Sequence, residues 1–392
     1  MHNLPSISHV LKIFLFSLLI LWQAFPCPRA AAAEADDLPS ITASSAILIE
    51  VSTGRVIYEK DADARRYPAS MTKMMTCLLA QRTLGRHQDI LISPRAAQTE
   101  DATLEESAGD VILADELIRG MMLVSDNGAA VALAEASAGS VAAFVAQMNE
   151  EAQALGMHDT HFANPNGLTD PQHYSTARDM AVLARFAMQQ EAFREIVATA
   201  QAPVHWALPR GKVRVEKNTN ELLGHYAGMT GIKTGWTSAA GGCLAASARR
   251  GDLELIAIVM HAESPEARFQ DARKLLDYGF AQTKLKRGLS KDRLQKSVWV
   301  RGGRQATVAV HPVSDVNYPL IGGEDAKHYT VTYDLPKIVD APLKEGAVVG
   351  RLVLNYDGQP VGAVDLTAEK IDAGFSFGSL FVHAFGWLLP RL

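Results

Sequence analysis

The chain has 392 residues, 48% of them hydrophobic and 21% charged, a balance that supports a buried core and excludes a disordered or collagen-like chain. A formal charge of -5 without a long basic run argues against nucleic acid as a partner. The 3 cysteines are too few for a disulfide framework, and no Walker-type phosphate loop, dinucleotide fingerprint or internal repeat is present.

In chain order, the apolar run HVLKIFLFSLLILWQAF precedes small residues at Ala31–Ala33. Residues 1–33 therefore read as a secretory signal, with a retained anchor helix as the alternative. Its removal leaves Cys77 and Cys243, expected to be buried free thiols. Two β-rich runs flank the turn Ser52-Thr53-Gly54. A helix is predicted from about Pro68, with Met71, Met74, Met75, Leu78 and Leu79 forming one apolar stripe. Ser70 and Lys73 lie on a neighbouring face, near the positive end of that helix.

Residues 114–156 read as helices broken around SDNG, followed by a loop dense in Asn, Pro and Gly and a helix from about Thr176. Strands resume toward Lys233, from Cys243 and from Leu253, and EARFQDARKLLDYGFAQ closes the region as a helix. One mixed α/β domain over 38–283 is predicted, its first and last strands sharing a sheet. KLKRGLSKDRLQ reads as a boundary, and residues 290–370 as a small β-sandwich-like domain with a hairpin turn at Asp357-Gly358. His158 and His161 have a metal-like spacing but no third ligand in a zinc-protease pattern, so no metal or cofactor is expected.

The chemistry-bearing residues form three clusters: Ser70-Met71-Thr72-Lys73, Ser125-Asp126-Asn127 and Lys233-Thr234-Gly235. Each alone is weak. In this order, on a helix, a helix break and a strand, they resemble the S-x-x-K, S-D-N and K-T-G set of β-lactamases and penicillin-binding proteins. YPASMTKMMT, MLVSDNGAAVALAE, FANPNGL, HYSTARDMA and GIKTGWTSAAGGCLAASA narrow the resemblance to the low-molecular-mass penicillin-binding proteins, the serine-type D-alanyl-D-alanine carboxypeptidases.

The resemblance implies a penicillin-binding/β-lactamase-like serine transpeptidase fold with an antiparallel central sheet, plus the small all-β C-terminal domain. It implies that Ser70 attacks the penultimate D-alanine carbonyl of a peptidoglycan stem peptide ending in D-Ala-D-Ala, and that β-lactam antibiotics acylate the same serine. Lys73 would be its base, neutralised by burial and by the second cation Lys233. Ser125 would relay a proton, and Asn127 would hold the substrate amide or orient Lys73. Asp126 is expected to pair structurally. Lys233, Thr234 and Arg268 would receive the terminal carboxylate, and Gly235 would admit the substrate backbone. The Ser70 and Trp236 backbone N–H groups would hold the oxyanion.

Rival readings are a serine β-lactamase, a D,D-endopeptidase or transpeptidase on the same fold, and a non-catalytic peptidoglycan-binding scaffold. In residues 371–392, Phe377, Leu380, Phe381, Ala384, Phe385 and Leu388 recur at helical spacing. With the resemblance, this implies an amphipathic segment on the membrane surface and an exported protein at the outer face of the cytoplasmic membrane, a spanning tail being the alternative.

Overall fold

The computed structural model describes residues 38–293 and 296–374. The leader over 1–33 and the apolar tail from residue 375 lie outside the described residues. Residues 371–374 still belong to the β-rich region, because Ile371 bridges Leu343 and Ala373 bridges Gly303.

The hairpin β1 (Ser45–Glu50) and β2 (Val56–Lys60) forms around the Ser52–Gly54 turn. Next come α1 (Lys73–Thr83), β3 (Asp89–Leu91), α2 (Pro94–Ala97) and β4 (Val111–Leu113). The helices α3 (Ala114–Val124), α4 (Asn127–Ala138), α5 (Val141–Ala154), α6 (Ala177–Ala187) and α7 (Glu191–Val197) follow. β5 (Gln201–Leu208) and β6 (Val213–Lys217) precede the long strands β7 (Met229–Thr237), β8 (Gly241–Arg250) and β9 (Leu253–Ala262), which lead into α8 (Ala267–Gln282).

The central sheet has the order β2-β1-β9-β8-β7, and each pairing is antiparallel. It is covered on both faces, which explains why β1 and β9 read as nearly continuous apolar runs rather than alternating ones. Alternate side chains nevertheless divide between two cores. Ile47, Ile49, Ile256, Ile258 and Met260 face the helices α1 and α3–α6. Leu48, Leu255, Ala257 and Val259 face α8.

The start of β1 is tied to α8 through the buried carboxylate of Asp271, which accepts from the Thr42 N–H, the Thr42 hydroxyl at 2.8 Å and the Ala43 N–H at 2.8 Å. Asp271→Ala would strand these donors, at least one of them in a dry site. A loss of about 2 kcal/mol is expected, read as a lowered midpoint in urea unfolding; an unchanged midpoint would show that the donors find water instead.

The burial expected of Lys73 and Cys77 takes in the whole start of α1. Its first two turns are buried all round: Lys73, Thr76 and Cys77 are as enclosed as the methionines. The helix is central, packed against α3, α4, α5 and α6, and only its last turn, with Arg82 and Thr83, reaches solvent. Ser70 itself lies on a short 3-10 turn, Ala69–Thr72, that hands over to α1 at Lys73. Both Cys77 and Cys243 are free and buried, and burial pushes each thiol up, that of Cys243 to about 11.

The remaining strands are β10 (Thr283–Leu289), β11 (Lys296–Arg301), β12 (Thr307–Pro312), β13 (Val316–Ile321), β14 (Tyr329–Asp334), β15 (Ile338–Asp340), β16 (Ala347–Tyr356) and β17 (Gln359–Ala368). They form a six-stranded sheet, β14-β16-β17-β12-β11-β15, and a two-stranded one, β10-β13. KLKRGL, within the segment read as a boundary, forms a strand: its charged residues alternate with Leu285, on an edge ribbon that needs only one apolar face. The β-domain grips the turn between β1 and β2. Buried Arg55 donates to the Pro319 carbonyl at 2.9 Å and pairs with the Tyr329 hydroxyl and Glu324. The Ala363 N–H donates to the Thr53 carbonyl at 3.2 Å.

Candidate active site

α1, the α3–α4 junction and β7 meet around a cavity of about 250 Å³ whose lining includes Ser70, Ser125, Asn127, Thr234, Trp236 and Arg268. The three sequence clusters, far apart in the chain, therefore face one space.

Lys73 is its centre. The side chain is fully buried, and its Nζ donates to Ser70 Oγ at 2.9 Å, to Asn127 Oδ1 at 2.6 Å and to the backbone carbonyl of Asn166 at 2.7 Å. Burial brings its ammonium down to about 7, against the opposing pull of Asp126 and Asp101. The expected contribution of Lys233 falls the other way: Lys233, also buried, is the cation held well below its ordinary value, by burial first and then by Lys73 and Arg268. When two buried cations share a site, the one with fewer compensating groups yields its proton first. The Lys233 ammonium has a hydrogen bond to the Thr234 carbonyl at 3.1 Å, whereas Lys73 has three acceptors.

Ser125 ends α3 in the left-handed region, at φ 66°, and Asp126 begins α4 as its N-cap. This abrupt turn places the residues on either side of Asp126 on the cavity while Asp126 points inward, accepting from the Ala129 N–H and from the Leu104 N–H at 2.8 Å. Asn127 donates to the Glu100 carbonyl at 2.8 Å, which fixes its amide with the oxygen toward Lys73. The Ser125 hydroxyl reaches the cavity but makes no hydrogen bond to Lys73 among the described residues.

On β7, Thr234 pairs with the Thr219 hydroxyl at 2.6 Å, and Arg268 reaches from α8 to donate to the Gly235 carbonyl at 2.7 Å. The Arg268 Nε is buried without a partner. Trp236 is 45% exposed at the cavity mouth. Gly235 has a structural reason beside the one expected. A Cβ there would lie 3.1 Å from Ala69 Cβ, the Pro68 carbonyl and the Ser70 nitrogen, so its bareness lets the Ser70 turn rest on β7.

Sequence reasoning missed Asn166, Thr219 and His173. Asn166 acts through its carbonyl, which no residue type advertises, although FANPNGL marked a structured loop. His173 lies behind the site: its Nδ1 accepts from the Ala163 N–H at 3.0 Å, leaving Nε2 to donate to the Thr72 hydroxyl at 2.8 Å. Burial holds this imidazole neutral, at about 4. His161 instead pairs with the Gln172 carbonyl and stacks on Tyr174.

A family model described as D-alanyl-D-alanine carboxypeptidase matches residues 30–264, more than half of the chain. The chain belongs to the D-alanyl-D-alanine carboxypeptidase family. It is thereby a serine peptidase, and its β-domain matches a second model, the C-terminal domain of penicillin-binding protein 5, over residues 284–372. The carboxypeptidase is 33% identical to D-alanyl-D-alanine carboxypeptidase DacF of Bacillus subtilis, over 84% of this chain and 85% of that protein. It is 32% identical to DacA of Escherichia coli, covering 94% and 97%. Among solved structures, penicillin binding protein 5 from Haemophilus influenzae superposes with a TM-score of 0.66 at 30% identity, covering 86% of the carboxypeptidase and 99% of that chain.

Proposed function

We propose that the protein removes the terminal D-alanine from peptidoglycan stem peptides through an acyl-enzyme on Ser70, and that β-lactam antibiotics are trapped on the same oxygen. The observation that carries this reading is the set of partners around Lys73. An ammonium has three protons, and all are engaged. The amide oxygen of Asn127 and the carbonyl of Asn166 can only accept. A neutral amine keeps two N–H bonds for these two acceptors, and its lone pair then faces the remaining partner, Ser70, which has a proton to give. The surroundings of Lys73 thus orient the base as well as depress its pKa.

With Ser70 deprotonated by Lys73, its oxygen adds to the penultimate carbonyl, and the released D-alanine nitrogen takes a proton by way of Lys73 and Ser125. Lys233, Thr234 and Arg268 receive the substrate carboxylate, which supplies the anion missing beside these cations. The Ser70 and Trp236 N–H groups serve the oxyanion. Asp101 is the carboxylate on the cavity lining, and no glutamate stands there among the described residues. This favours slow release of the penicilloyl ester over β-lactamase turnover.

Mass spectrometry of the penicillin-treated protein should place one adduct on the tryptic peptide that holds Ser70, and D-Ala-D-Ala peptides should release D-alanine. An adduct elsewhere, or penicillin turnover faster than D-alanine release, would overturn the assignment. Export and attachment to the outer face of the cytoplasmic membrane belong to the same reading; the leader-like residues 1–33 and the absence of Asp, Glu, Lys and Arg from Ala373 to Leu389 support them. Complete release of intact protein by salt washing would count against an inserted tail.

A further inference from the structure

Behind the Ser125–Asn127 turn lies a second carboxyl group that none of the three motifs includes. Glu106 is 5% exposed, and both of its oxygens are buried with no hydrogen-bond donor. It lies flat against the first turn of α4: a Cβ on Gly128 would stand 2.1 Å from Glu106 Oε1. Its carboxyl neighbours that of Asp126, itself fully buried. Two enclosed carboxylates side by side cannot both be ionised.

The hydrogen bonds say which one keeps the proton. Asp126 accepts from the N–H groups of Ala129 and Leu104 and from the Thr103 hydroxyl, the pattern of an anion. Glu106 accepts from no other residue, the pattern of an acid whose own O–H is the donor.

We propose that Glu106 is a positioning residue: its protonated carboxyl donates to Asp126 and holds the Ser125–Asn127 turn in the arrangement that Lys73 requires. This rests on the acylation chemistry proposed above. The coupling to Lys73 has two routes. Asn127, one residue past Asp126, orients the lysine amine, and the Asp126 charge is the first influence opposing its deprotonation. Loss of the Glu106 proton would put a second negative charge behind Asp126, strengthen that opposition and push the turn away from α4.

The other charges nearby do not replace the shared proton. Lys212, from the β5–β6 turn, is the cation acting on Glu106, but its Nζ is engaged by Asp110 at 3.0 Å and by the Glu105 carbonyl at 2.9 Å. Arg214 on β6 pairs with Glu105 and Glu216. From α2, the backbone carbonyl of Ala96 approaches Gly128, and Asp101 lies on the far side toward Lys73. Burial and Asp126 together push Glu106 up to about 8, so its proton is present at neutral pH and lost in mild alkali.

The test compares wild type, Glu106→Gln and Glu106→Ala by the rate of penicillin labelling between pH 6 and 10. Glutamine keeps an N–H donor for Asp126 but cannot ionise; alanine has no donor. The wild-type rate should fall about fivefold between pH 7 and 9, a roughly tenfold loss as a group titrating near 8 gives up its proton, offset about twofold by the freeing of Lys73, whereas Glu106→Gln should rise about twofold over the same interval. Glu106→Ala should be slower at pH 7, and glutamine should restore part of that loss. An infrared difference spectrum at pH 7 should show a protonated-carboxyl band in wild type that Glu106→Gln lacks.

Superimposable normalised pH profiles, or no such band, would overturn the proposal even if Ser70 is labelled. Failure of the wild type to label at any pH would instead remove the acylation reading. A glutamate that only filled space would move the unfolding midpoint of both variants and leave the shape of the labelling profile alone.

Discussion

Lys73→Ala is expected to lower the rate of Ser70 acylation about 10²–10⁴-fold, the range contributed by a well-placed general base. No other basic side chain is hydrogen-bonded to Ser70 among the described residues; the nearest competitor by chemistry, Lys233, donates to the Thr234 carbonyl. The pH dependence separates a base from a structural lysine. Because burial brings Lys73 to about 7, the amine becomes available as pH rises through that value, and the acid limb of the wild-type profile should rise there. The residual rate of Lys73→Ala should lack this step. Penicillin labelling at equal rates in both proteins would assign the base elsewhere. Lys73→Arg should not rescue, since a guanidinium stays protonated and needs more room than a fully buried site provides.

The second large effect is expected at Lys233. Truncating one partner of a buried charge pair costs about 2–5 kcal/mol, so Lys233→Ala should lower kcat/KM for a D-Ala-D-Ala peptide about 10²–10³-fold. The same change should matter little for a peptide amidated at its C-terminus, which has no carboxylate to lose. Equal losses on both peptides would show that Lys233 supports the strand rather than the ligand. The depressed ammonium of Lys233 adds a signature. A carboxylate arriving beside it favours the charged form, so binding near neutral pH should take up protons. Calorimetry in two buffers of different ionisation enthalpy reads that uptake directly, and a buffer-independent heat would exclude it.

The sequence showed the fold wherever periodicity and turn chemistry agreed. The β1–β2 hairpin and the sharing of one sheet by the first and last strands of the domain both appear as expected. The small sheet β3-β4-β5-β6 was not read, because its strands β3 and β4 span only three residues each and bury little of a period-2 pattern. The motif residues of the site were legible because Ser70, Lys73, Ser125, Asn127 and Lys233 act through their side chains, and side-chain chemistry is written in residue type. Asn166 was not, since its contribution is a carbonyl that any residue carries. Nor was the cause of Gly235, whose neighbour across the gap lies in the Pro68–Ser70 turn and not in its own strand. Glu106 was hidden for a related reason: a glutamate in LEES has the composition of a solvated loop, and only the fold shows that it is buried against another carboxylate.

The order of the central sheet fixes how far the β-domain's attachment stands from the chemistry. β7 forms one rim of the sheet and β2 the opposite one, with three strands between them. The β-domain is bolted on at the β1–β2 turn, through Arg55 and Thr53, and Ser70 rests against β7. Cutting the chain at residue 290 would therefore leave the site's walls untouched but unzip β10 from β13 and strip Arg55 of its acceptor at Pro319. The damage from such a truncation begins as a raw seam on the rim remote from the nucleophile, where a stray guanidinium and an unpaired edge strand invite self-association before they impair acylation.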